Sequence, residues 1–125
     1  MLAEPNARRQ LTLFAANGRQ IHERSADIAE IMRGAAVAAP EIAAMLRQLA
    51  EGRLRDARMV AASLQRKGAL AEDVSVEQAA DIRWALGSHD MYRILLIERG
   101  WSARQYEQWF ASSLIHSVLD SSDVD

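Results

Sequence analysis

The sequence predicts an all-α protein, an antiparallel bundle of five or six helices, and three observations carry that expectation. Apolar residues recur three and four positions apart through most of the chain, the spacing that lines up one face of an α-helix. Between those runs stand helix start and stop signals: serines followed three residues later by an amide side chain, and proline or glycine where the periodicity breaks. No alternating apolar and polar run long enough for a useful strand, no internal repeat and no low-complexity tract competes with this reading.

The first helix is expected over residues 7–24, after Pro5 and Asn6, with Leu11, Phe14, Ala15, Gly18 and Ile21 or His22 on its apolar side. Ser25 reads as the cap of a shorter second helix over residues 26–35, whose stripe is Ile28, Ile31, Met32 and Ala35. Ala39-Pro40 stops it, because a residue before proline is pushed out of the helical region. Residues 41–67 give the longest run, with Ile42, Met45, Leu46, Leu49, Leu54, Ala57, Val60, Ala61 and Leu64 on one side. At about 1.5 Å per residue that helix spans roughly 40 Å. Gly52 lies inside it at a cost of about 1 kcal/mol against alanine, which implies a closely approaching neighbour or a bend. Gly68 ends it and residues 69–74 form a loop.

Two capping boxes then follow, Ser75 with Gln78 and Ser102 with Gln105. Gly87-Ser88 interrupts the helical pattern between them, and Gly100 closes it after the basic Arg99. The last helix carries Tyr106, Trp109, Phe110, Ser113, Leu114, Ser117 and Val118 on one face. Such a mixture of rings and small serines suits close helix packing, each ring burying roughly 150 to 250 Å². Its partner is open at this stage: the chain's own core, or a second subunit. Ile97, Ile115 and Leu119 are apolar positions outside that stripe. Residues 1–119 read as one domain and 120–125 as a short acidic tail expected to fray.

Composition narrows the function. The 125 residues are 50% hydrophobic with a formal net charge of -2, enough for one core and without the basic character of an autonomous nucleic-acid binder. Lys67 is the single lysine, and the arginines are dispersed from Arg8 to Arg104, as expected of solvated helix faces. Absence of cysteine excludes disulfides, thiolate metal sites and a cysteine nucleophile. No stretch approaches the ~20 apolar residues of a membrane span, and Met1 to Pro5 lacks the start of a signal peptide, so no membrane association and a cytoplasmic location are expected.

His22, His89 and His116 do not share a metal-binding spacing. His22 is expected to be partly buried with a backbone or carboxylate partner, and His89-Asp90 to be a surface histidine beside a helix-start acid. With no phosphate loop and no marked nucleophile, no enzyme, metal or cofactor is expected. Met32, Met45, Met59 and Met91 suit either core filling or the lining of an adaptable cavity.

The run Ala79-Ala80-Asp81-Ile82-Arg83-Trp84-Ala85-Leu86-Gly87-Ser88, then Met91-Tyr92-Arg93-Ile94-Leu95 and Glu98-Arg99-Gly100-Trp101-Ser102, resembles the C-terminal ligand-binding and dimerisation domain of tetracycline-repressor-type (TetR family) transcriptional regulators. Ala39-Pro40-Glu41-Ile42-Ala43-Ala44 and Arg66-Lys67-Gly68-Ala69-Leu70 look like helix junctions of the same family, so the resemblance extends over nearly the whole chain. It implies a small apolar or amphipathic effector bound among the middle helices, by Trp84, Tyr92, Phe14, Met45 and Met59. It also implies a homodimer formed by the C-terminal helices, with Tyr106, Trp109, Phe110, Leu114 and Val118 at the dimer interface or in the core beneath it. The family's DNA-reading helix-turn-helix has no counterpart in these residues, so the expected activity is that of the regulatory half, without direct nucleic-acid binding. The competing expectation is an interaction module that heterodimerises with an intact regulator.

Overall fold

Local signals start and stop the helices much as the sequence implies. The computed structural model describes residues 2–120, and every regular element among them is helical. Asn6 caps α1 (Ala7–Ala35), its side chain accepting from the Arg9 amide at 2.8 Å. Pro40 opens α2 (Pro40–Arg66) at the first helical position, where its missing N–H costs nothing. Ser75 and Gln78 form a complete capping box on α3 (Val76–Leu86), and Ser102 and Gln105 another on α5 (Ala103–Val118). Between them, Ser88 caps the one-turn α4 (His89–Arg93), which widens into a π-helical turn (Ile94–Glu98). Gly68, at φ 67°, closes α2 with paired bonds from Ala69 N to Leu64 O and from Gly68 N to Gln65 O, a conformation a side chain would oppose.

The expectation of five or six helices is corrected to four principal ones, of 29, 27, 11 and 16 residues, with α4 and its π turn as a short bridge. The reason lies at Ser25. Its hydroxyl donates to the Ile21 carbonyl one turn back, 2.8 Å away, so it caps nothing and α1 runs on unbroken.

Helix pairing is antiparallel throughout. Along α1 and α5, Arg19 meets Glu107 at 2.8 Å while Leu11 lies with Leu114 and Val118. Arg58 of α2 meets Glu77 of α3 at 3.1 Å, and Ala50 meets Trp84. α1 and α2 touch more sparingly than α1 with α5 or α2 with α3, from Gln10 and Ser63 at one end to His22 and Arg53 at the other. The core gathers Leu11, Phe14, Leu64, Tyr106, Phe110, Leu114 and Val118. Beside Leu11, Leu64 and Leu114 it leaves only a small apolar void of about 10 Å³.

This packing places most of the expected interface stripe in the chain's own core. Tyr106, Phe110 and Leu114 are fully buried and Val118 is 1% exposed, all within their own chain. Trp109 is half-buried, edge-on to Trp101 at 6.1 Å. The stripe is covered by α1 and α3, and α5 turns outward a polar face of Arg104, Gln105, Gln108, Ser112 and His116. Ile115 and Leu119 are buried too, whereas Ile97 is exposed. Of the acidic tail only Asp120 is among the described residues. Its amide donates to the Ala69 carbonyl at 2.8 Å, beside an isolated bridge between Leu70 and Leu119 that fastens the end of α5 to the loop after α2. Among the described residues no helix is long and apolar enough to cross a membrane.

Candidate ligand-binding cleft

Because α1 and α2 touch so little, a half-open cleft of about 600 Å³ remains between them, floored by the end of α3. α1 contributes Phe14, Asn17, Gly18, Ile21 and His22; α2 contributes Arg53, Asp56, Met59 and Val60. Arg83 and Gly87 close the floor, and Leu2 and Ala3 lie at its edge. The volume falls within the range of small-molecule pockets, and the walls combine an apolar body with a few polar groups, as such sites do.

Close packing at Gly87 and Gly18 shapes this floor. A Cβ on Gly87 would lie 2.7 Å from Arg83 Nη1 and 2.8 Å from Phe110 Cζ, so only glycine lets the guanidinium and the ring share the space. Arg83 lies over the faces of Phe110 and Phe14, 5.6 and 5.8 Å from their centroids. Its Nε is buried without a hydrogen-bond partner. Arg53 rests on the Trp84 indole at 5.8 Å. Burial holds both guanidinium groups below their usual range, with the charge of Arg53 adding to the effect on Arg83.

His22 is 8% exposed, and its Nε2 lies 2.8 Å from the Gly87 carbonyl. A carbonyl only accepts, so the neutral ring carries its proton on Nε2. Burial lowers the imidazole pKa despite that bond, and His89, Arg53 and Arg83 push the same way. Behind it, Tyr92 stacks on His22 at 4.7 Å and meets the edge of Tyr106 at 5.1 Å. The Tyr106 hydroxyl donates to the Leu86 carbonyl at 3.0 Å, and burial raises its pKa. The expected backbone partner of His22 is therefore present. His89, in contrast, is half-buried and meets Glu30 at 2.8 Å, tying α4 to α1.

The cleft takes in two of the five expected ligand contacts. Phe14 and Met59 line it. Trp84 does not: its indole N–H donates to the Ala50 carbonyl at 3.0 Å, so the group expected to orient a ligand instead ties α3 to α2. Tyr92 lies one layer behind, beneath His22. Met45 is exposed on the first half of α2, away from the cleft. The residues that sequence reasoning did not assign to a ligand include Arg53, Asp56, Arg83 and Gly87, which have no motif; the one available signal is that Arg53 and Asp56 fall at helical spacing with Ala57 and Val60 of the α2 stripe. Among the described residues no cluster of three or more histidine, aspartate or glutamate side chains is placed to hold a metal. No protein-family model matches the chain, and no curated protein or solved structure is significantly similar to it.

Proposed function

We propose that the chain is an effector-binding regulatory domain of the tetracycline-repressor type, taking a small apolar or amphipathic molecule between α1 and the α2–α3 pair. The observation that carries this reading is the cleft of about 600 Å³ between α1 and α2, with an apolar body and a few polar groups in its walls. A ligand seated there touches both sides and so favours one separation of α1 from α2, and a shift of that kind is what a regulator transmits. The resemblance in the α3 to α5 segment supports the same reading. Titration of lipophilic compounds followed by tryptophan fluorescence tests it, because the Arg53 head that lines the cleft rests on Trp84. A saturable response, weakened at least about tenfold when Ile21→Trp fills the cleft, is expected. A panel of such compounds without any saturable response rejects the reading.

One observation favours a second reading, an interaction module that pairs with another copy or with an intact regulator. Ile28, Ile31, Val37 and Leu49 are 62, 71, 90 and 56% exposed where α1 leads into α2. Large apolar side chains left exposed on these adjoining segments would suit an interaction surface. Sedimentation of the wild type beside Leu49→Glu tests pairing with another copy: self-association abolished by the substitution supports it, and a monomer at all concentrations excludes it.

A further inference from the structure

The cleft carries an imbalance of charge that an apolar ligand would leave standing. Arg53 and Arg83 both line it, and among the described residues neither has a carboxylate at ion-pair distance nor a hydrogen-bond acceptor. The acidic groups nearest in effect are Asp56, exposed on the cleft wall and acting on Arg83, and Asp90, acting on Arg53. Two arginines against Asp56 give the lining itself an excess of one positive charge, with Asp90 acting on Arg53 from outside it and His22 held neutral by burial.

A half-buried cation without a carboxylate partner is partly desolvated at a cost, and that cost is relieved when an anion with hydrogen-bond acceptors arrives. The arrangement is also selective in direction. Phe14, Ile21, Met59 and Val60 supply the apolar walls, while Arg83 is pinned on the floor between the Phe14 and Phe110 rings and Arg53 is held against Trp84. Both guanidinium groups rest on aromatic rings before any ligand arrives, so less side-chain freedom is lost on binding.

We infer that the cleft takes an amphipathic anion, an apolar body ending in one carboxylate-type head, and that Arg53 and Arg83 hold that head. This rests on the ligand-binding reading above and narrows it to a chemical class. A matched series of decanoate, decanol and decyltrimethylammonium, each below its micelle concentration, tests it by calorimetry at low ionic strength. The expected result is decanoate bound at least about tenfold more tightly than decanol, with the cation weakest. That preference collapses to about threefold or less in Arg83→Met and Arg53→Met while decanol affinity is retained, and Arg53→Lys, which keeps the charge but loses the fork, recovers part of it. Should Arg83→Met fail to fold, the half-buried Arg53 variants decide alone. Equal binding of decanoate and decanol, or tighter binding of the cation, overturns the inference and leaves the ligand-binding reading standing. Failure of all three to saturate overturns both.

Discussion

Gly18 of α1 faces the Phe110 ring of α5, and its replacement by alanine gives a prediction whose sign depends on that ring. A Cβ there would lie 3.2 Å from Phe110 Cε2 and 3.9 Å from Cδ2, the first tighter than an ordinary contact. The ring cannot retreat easily. It is fully buried, with Arg83 over its face at 5.6 Å, Tyr106 at 5.6 Å and the Gly87 backbone behind it. Alanine in a helix interior gains about 1 kcal/mol over glycine, whereas overpacking a filled core costs about 1 to 3 kcal/mol. Gly18→Ala is therefore expected to destabilise the wild type by about 1 kcal/mol, which at a urea slope of about 1.5 kcal/mol/M lowers the unfolding midpoint by about 0.7 M. In a Phe110→Leu background the outer ring atoms are gone, and the same substitution should stabilise by about 1 kcal/mol. The resulting coupling of about 2 kcal/mol is within the range found for residues in contact. Urea unfolding of the four proteins, followed by far-UV circular dichroism, measures it. An equal shift in both backgrounds would refute the α1–α5 approach and with it the placement of the cleft floor.

Gly52→Ala should raise stability by about 0.5 to 1 kcal/mol, because its Cβ would meet only Arg55 Nη2, at an ordinary 3.5 Å; a lower melting temperature would reveal a constraint at that turn. Trp84→Phe removes the bond to the Ala50 carbonyl and should cost about 1 kcal/mol in urea, whereas an unchanged midpoint would mean that the indole does not tie α3 to α2. For His22, burial depresses the folded-state pKa below the unfolded value of about 6.5, so between those two values the unfolded chain binds more protons and stability falls as pH falls. Going from pH 7.5 to 5.5 this group removes at most about 1.4 kcal/mol, and thermal melts of His22→Gln should show a smaller drop over that interval.

Several features of the molecule are written in short stretches of chain. Ser75 with Gln78, Ser102 with Gln105, and the breaks at Gly68, Gly87 and Gly100 act between residues a few positions apart, so their sequence spacing already contains the interaction. Periodicity likewise groups Tyr106, Phe110, Leu114 and Val118 on one face, because the helical repeat alone decides that. Ser25 marks the edge of this legibility: a serine hydroxyl caps a helix or bonds back one turn with equal ease, and the packing of α4 against the second half of α1, through His89 and Glu30, accompanies the continuous choice.

What faces each helix is a different matter, and only the tertiary structure decided it. The ring stripe of α5 is answered by α1 and α3 of the same chain, so of the two roles open to it, interface or underlying core, the fold fills the core role. Trp84 and Ala50 are 34 positions apart, and His22 and Gly87 are 65 apart. Arg53 and Arg83 read as solvated charges along their helices, and only the loose pairing of α1 with α2 turns them into the unpaired cations of a cleft. Composition and repeat determine which residues share a face; the charge and solvent that a face meets come from segments distant in sequence, brought near by how the rods stack.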